Sequence, residues 1–384
     1  MTVAAVCGLG ASVAAAGFIA TPVEYETDSR PIAIAIGKLD PGPTKDIAVA
    51  HRDGRSVAVL YGDGDGGFTD AELLDTMNLR AMGVAIAKVD ADNRPDLVVS
   101  GDSTDPDLDK LLVLRGKQGG FRAPKPYPLP TTVAAEVGAA DLNRDGHIDA
   151  VVGDSNSNSV VVKYGKRGGA FGKARNYGFR FPDDPSDATE PQNIVIGDFD
   201  RDGFKDAAVG VGRLQAVGVL YTKTKRKNGK LRGKRALRKR VYDAAGWPYG
   251  LAKGDLDRDG RLDLVTPNDY NVGSESISIL YGKGKGRKAG FKPVVELDLG
   301  EEPFGGVAIG RFNPDSRPDI AVSGNSGDLH YLYGEAGGFS APNPFGSVNG
   351  AIAIAAGRLN ADIEDDVVVG QWDEGNISVV LDEE

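Results

Sequence analysis

Four carboxylates in the stretch GDFDRDGFKDAAVG, residues 197–210, fall at Asp198, Asp200, Asp202 and Asp206. In a loop that begins this way, side chains at alternate positions converge on one point, which makes a nest for a hard cation. Gly203 permits a sharp turn after the third acid, so that the carbonyl of Phe204 can face the same centre before Asp206 closes the cage. Oxygen is the only donor type on offer. Calcium is therefore the natural occupant, since it takes about six to eight oxygens in flexible geometry. An EF-hand would need a glutamate at the twelfth loop position, where this chain has Val209 inside an apolar run.

Two more loops carry a full set: Asp141, Asn143, Asp145 and Asp149 with the carbonyl of His147, and Asp255, Asp257, Asp259 and Asp263 with the carbonyl of Arg261. About three calcium ions are expected. Four further loops share the frame but place Lys38, Lys88, Arg311 or Arg358 at the first ligand position. A cation there repels calcium and is expected to pair with the acids that remain, Lys88 with Asp90, Asp92 and Asp96, or Arg311 with Asp315 and Asp319. The other reading is that these loops have simply lost their ligands.

The elements that must hold these loops are short. NIVIG precedes the loop at residue 198 and DAAVG follows it, both apolar and bounded by glycine, which reads as strand, loop, strand. The frame recurs along the chain with closing aspartates at Asp46, Asp96, Asp149, Asp206, Asp263, Asp319 and Asp366, spaced 47 to 57 residues apart. That period is the length of a four-stranded propeller blade. Inner strands such as IAIAIG and AIAIAAG are built from small residues because strands beside a central channel are crowded. Second strands (DIAVA, DLVVS), third strands (SVAVLYG, SISILYG) and a glycine-rich hairpin leading to a phenylalanine complete each unit. The tyrosines and that phenylalanine are expected to pack between blades.

These units resemble FG-GAP/VCBS repeats, the calcium-loop blades of integrin alpha-subunit heads and of many bacterial secreted proteins. The resemblance implies an all-β fold, a seven-bladed propeller of four-stranded antiparallel blades with calcium loops between strands 1 and 2. Blades are expected at about 31–78, 79–130, 131–190, 191–246, 247–302, 303–348 and 349–384. The last repeat stops after its third strand, ISVVL, while FIATPVEYET near the N-terminus matches the fourth-strand pattern of FRAPKPYPLP and FSAPNPFGSV. Residues 18–28 are thus expected to complete blade 7 and close the ring within a single domain, 18–384.

Composition fits this class: 53 glycines in 384 residues, 7% aromatics and no long helical pattern. Cys7 is the only cysteine, which excludes an internal disulfide framework. His51, His147 and His330 stand in different repeats, so a zinc centre is not expected. Residues 3–16, VAAVCGLGASVAAA, are too short to span a bilayer and carry no preceding Lys or Arg. Residues 1–17 read either as an export-signal remnant or as a tail. The location expected is extracellular, periplasmic or the cell surface, with no transmembrane segment and a monomeric chain.

Meander topology sorts the remaining features by face. The acid-loop side carries basic hairpins, above all residues 223–240, where eleven of eighteen residues are Lys or Arg in a chain of net charge −10. This stretch reads either as a polyanion site or as a solvated extension that guards an outer strand. The opposite side carries acidic and aromatic loops, including Trp247, Tyr249, Tyr270 and Trp372. In the integrin-like relatives ligands bind on that side, so a protein or carbohydrate ligand is expected there, with Trp247, Tyr249 and Tyr270 around one mouth. Two function classes stay open: a non-catalytic binding or adhesion module, and a propeller-type polysaccharide lyase or hydrolase using acids or tyrosines of that face. No Ser, His and Asp arrangement can be identified from the sequence.

Overall fold

The computed structural model describes residues 18–19, 21–103, 111–130, 133–155, 159–179, 191–227, 230–269, 275–324, 326–348 and 350–383. Seven antiparallel sheets of four-stranded type stand in a ring. The first consists of Pro31–Gly37, Asp46–His51, Ser56–Leu60 and Glu72–Asp75. The others repeat that order, inner strand to outer. In the fifth blade the inner strand is split into Trp247–Pro248 and Ala252–Gly254, both paired with Asp263–Asp269. The seventh sheet joins Ala351–Gly357, Asp366–Gln371 and Asn376–Val380 to Val23–Glu26, with Val23 opposite Val379 and Glu26 opposite Asn376. Its outer strand thus comes from the other end of the chain, as expected from the sequence.

Small residues on inner strands meet large ones on the next blade. A Cβ on Gly138 would lie 2.7 Å from Ile196, and one on Gly306 would lie 2.5 Å from Ile354. Neither position tolerates a side chain without moving its neighbour blade. Second strands and the central parts of third strands are buried, because each sheet is covered on both faces by its neighbours. The core is accordingly a series of inter-blade layers, such as Val151 and Val162 of the third blade with Ile194, Val209 and Leu220 of the fourth. Rings bridge blades as expected: Tyr127 meets Phe171 edge-on at 5.1 Å, and Tyr242 meets Phe291 at 4.9 Å. Residues 1–17, with the signal-or-tail reading, lie outside the described residues.

Candidate metal loops and the opposite face

Each of the three full acid loops is organised by its own first aspartate. Asp141 accepts the backbone N–H groups of Asp145 (3.1 Å) and Gly146 (2.8 Å); Asp198 accepts those of Asp202 (3.1 Å) and Gly203 (2.8 Å); Asp255 accepts that of Gly260 (2.9 Å). To bring those amides round, the fourth residue adopts a left-handed conformation, at φ 55° in Arg144 and Arg201 and 57° in Arg258. Gly146, Gly203 and Gly260 follow with positive φ as well. In the other four loops the fourth position holds Pro41, Ala91, Pro314 or Ala361, none of them left-handed. Backbone and side-chain chemistry therefore pick out the same three loops.

The donors converge. Carboxylate oxygens of Asp198, Asp200 and Asp206 lie within 4.8 Å of one another, as do those of Asp255, Asp257 and Asp259. In the third loop Asn143 gives its Nδ2 to Asp149 at 3.2 Å, and a half-turn of that amide would present its oxygen instead. His147, Phe204 and Arg261 each donate a backbone N–H to the fifth-position aspartate, at 3.1, 2.9 and 3.0 Å. Burial, then crowding by Asp200, Asp202 and Asp198, pushes Asp206 up to about 8. Asp200 rises to about 6 through burial and Asp202, and Asp149 and Asp263 rise to about 7 and about 6, chiefly through burial. Oxygens forced together at this density hold protons unless a cation neutralises them, so the donor set fits a hard divalent ion.

The ninth-position aspartate has a second task that the sequence did not suggest. In every blade its Oδ2 accepts the N–H of the residue seven positions earlier, and its Oδ1 accepts an N–H at the end of the third strand. For Asp206 the donors are Phe199 (3.0 Å) and Thr222 (2.8 Å); for Asp319 they are Phe312 (2.8 Å) and Gly334 (2.7 Å). All seven of these carboxylates are essentially inaccessible to solvent. The residue staples the loop to the third strand whether or not a metal set is present.

Basic side chains also dock on the acid loops. Arg235 reaches Asp145 at 2.8 Å, Arg238 stands 3.9 Å from Asp200, and Lys292 reaches Asp257 at 3.0 Å. The first two come from the long hairpin strand Lys230–Asp243, whose Gly233 lies against the backbone of Asn143. Part of the basic stretch thus serves as counter-charge for the loops of the third and fourth blades.

The expected built-in cations are not in the cages. Lys38 donates to the carbonyl of Gly42 at 3.0 Å, and Arg311 reaches across to the carbonyl of Ile363 in the seventh blade at 2.7 Å. Lys88 and Arg358 are exposed, the latter with only a weak charge interaction with Asp362, and among the described residues no ion pair joins any of the four to its loop acids. Asp90 faces Arg115 at 3.7 Å instead.

On the opposite face the four aromatic candidates divide. The Trp247 ring lies over Gly212, where a Cβ would come within 2.1 Å of its Nε1, and so is wedged between the fourth and fifth blades. Tyr249 borders the mouth of the central channel, a recess of about 230 Å³ shared with Ile32, Met82, Val133 and Ile352. Trp372 stands at a recess of about 530 Å³ beside Glu26, Asp28, Asp373 and Glu374, with the guanidinium carbons of Arg30 and Arg52 at 5.0 and 5.6 Å from its ring. Tyr270 lies outside the described residues. Arg52 links the channel mouth to the Trp372 recess, since it borders the first and touches the second.

One Ser, His and Asp contact does exist. Ser56 donates to Asp28 at 2.7 Å and lies 3.3 Å from Nδ1 of His51, whose Nε2 meets Thr27 at 3.0 Å. The serine proton goes to the carboxylate, and His51 is wholly buried, which pushes it down to about 4. That order of bonds ties the closing segment to the first blade and does not activate a nucleophile.

A family model described as "FG-GAP-like repeat" matches residues 89–152 and 141–209. No curated protein matches the chain. Among solved structures, one chain of the BBS1N complex with ARL6DN, soaked with lead, is similar at TM-score 0.61 and 12% identity, over 96% of this chain and 97% of that one. A lectin of Agrocybe aegerita that recognises non-reducing terminal N-acetylglucosamine is similar at TM-score 0.52 and 16% identity, over 83% and 80%. No helix among the described residues is long and apolar enough to cross a membrane. The chain is a seven-bladed β-propeller in which residues 89–209 match the FG-GAP-like repeat.

Proposed function

We propose that the chain is a secreted or cell-surface binding module, stabilised by calcium in the three full acid loops and taking a protein or glycan ligand on the opposite face. Asp141, Asn143, Asp145 and Asp149, Asp198, Asp200, Asp202 and Asp206, and Asp255, Asp257, Asp259 and Asp263 would hold the ions. Calcium supplies charge neutralisation there and no chemistry.

The observation that carries the binding reading is the Trp372 recess. It offers an aromatic ring among four carboxylates, with the guanidinium groups of Arg30 and Arg52 over the ring, where a ligand would replace them. A flat ring stacks on the C–H face of a sugar while the acids accept its hydroxyls, and the same set suits a basic peptide loop. The likeness in fold to a lectin that recognises non-reducing terminal N-acetylglucosamine supports the glycan reading. Trp372→Ala is expected to abolish binding on a glycan array or to a Lys/Arg-rich peptide library, at a cost of about 1–2 kcal/mol in stability from the two lost guanidinium contacts. Undiminished binding by the variant would remove the recess from consideration.

Calcium makes a separate prediction. At affinities of about 10⁻⁴ to 10⁻³ M, about 10 mM calcium adds about 1–3 kcal/mol per site. Calorimetry on chelator-treated protein is expected to count three ions, and Asp198→Ala or Asp255→Ala to lose one each. A count unchanged in both variants contradicts the assignment.

A further inference from the structure

We propose that Glu301, Asp328 and His330, on the sixth blade, form a binding site for a divalent transition-metal ion, with zinc the best fit. One ligand atom from each lies within 4.8 Å of the other two. Asp328 and His330 stand two apart on the strand Asp328–Leu332 and so project from the same face of the sheet. Glu301 comes from the connector that enters the blade before the strand Pro303–Gly310. Zinc bonds of about 2.0–2.1 Å put tetrahedral donors about 3.3 Å apart, so a small closure from the present spread is enough.

Three features indicate that the carboxylate and the imidazole are positioned for a ligand. The Glu301 carboxylate lies in a cradle over Gly324, where a Cβ would come within 2.0 Å of Oε1. Its Oε2 is fixed by the N–H of Ser326 at 3.0 Å, and its Oε1 meets His330 Nε2. The imidazole, only 6% exposed, keeps Nδ1 buried with no hydrogen-bond partner. His51, equally buried in the first blade, has both nitrogens engaged, by Thr27 and Ser56. Nε2 is the ring nitrogen turned toward Glu301, so an ion held between imidazole and carboxylate would bind Nε2 and leave the proton on Nδ1.

The donor types choose the ion. A nitrogen with two carboxylates favours zinc or cobalt over calcium and magnesium, which take oxygen alone. Three protein ligands leave a fourth position open to water or to a bound partner's side chain. The site is not legible in the sequence, because only one of the three histidines is involved and its acidic partners stand 29 and 2 residues away, on a connector and on the same strand.

The test uses the full chain, stripped of metal and held in excess calcium so that the acid loops are filled. Calorimetric titration with Zn²⁺ is expected to give one site, and Co²⁺ to give a visible d–d band. Glu301→Gln, Asp328→Asn and His330→Gln should each weaken Zn²⁺ binding at least about tenfold, and Gly324→Ala should do so by displacing Glu301. The two carboxamide variants alter partly exposed groups and keep the test decisive if His330→Gln fails to fold. No uptake of Zn²⁺, or uptake unchanged in both Glu301→Gln and Asp328→Asn, overturns the proposal.

Discussion

Asp319→Ala is expected to lower the unfolding free energy by about 2–5 kcal/mol in the presence of chelator, although its loop lacks a full acid set. The carboxylate accepts the N–H groups of Phe312 and Gly334 at 2.8 and 2.7 Å in a site closed to water. Truncation leaves both donors buried without partners, at about 1–3 kcal/mol each. Asp315→Ala, four positions earlier in the same solvent-facing turn, removes an exposed ion pair to Arg317 and an exposed hydrogen bond accepted from the Arg317 N–H, and is expected to cost no more than about 1 kcal/mol. Urea denaturation of the two variants beside the parent chain decides the matter. Equal losses in both would show that the buried amide bonds of the closing aspartate carry no special share of the stability.

This aspartate shows both the reach and the limit of reading the sequence. Its recurrence every 47 to 57 residues was enough to count seven blades and to place each loop between the first and second strands. Its chemistry was only half legible, because the donors it satisfies are backbone amides, and backbone carries no residue-type signal. A clue was available: the acid persists at Asp46, Asp96, Asp319 and Asp366, where the first ligand is a Lys or Arg. An acid that recurs even where a cation holds the first position is one that the fold itself uses.

The second large effect concerns pH. Burial, then the proximity of Asp366, Glu364, Asp319 and Asp362, pushes Asp382 up to about 8, and Asp366 is raised to about 6, chiefly by burial. An ordinary aspartate loses its proton near 4, so between about pH 4 and pH 8 the folded chain binds more protons than the unfolded one. Stability contributed by this group therefore falls as pH rises across that window. Asp382→Asn abolishes the titration and keeps the backbone bond from its N–H to Asp366. Discounted for the solvent that reaches the carboxylate, the variant is expected to gain about 2 kcal/mol over the parent at pH 8 and far less near pH 5. Denaturation at the two pH values in chelator reads the difference; the same gain at both would exclude the charge as its cause.

Other parts of the site were legible to different depths. The three full loops stood out because side-chain identity alone defines a hard-cation cage, and the left-handed Arg144, Arg201 and Arg258 only refine it. The docking of Arg235 and Arg238 on neighbouring acids was not legible. It depends on how far the strands Ala216–Lys227 and Lys230–Asp243 extend beyond their own blade, which composition does not encode. Sequence proximity misled for Trp247 and Tyr249, two residues apart, since a Pro-containing split strand sends one ring between blades and the other to the channel.

The seam of the ring has a consequence for synthesis. Val23–Glu26 leaves the ribosome more than 300 residues before its partner Asn376–Val380, and the hydrogen bond from Thr27 to the carbonyl of Gly375 spans 348 residues. Until that partner emerges, the nascent chain displays two unpaired edges, one at each side of an open arc, and both are sites for association with another copy. Closure is thus the last event of folding and the one with the highest contact order. Moving the break in the chain, by joining residues 23–26 behind the third strand of the seventh blade, would turn the seam into an ordinary hairpin and let each blade form as it is made.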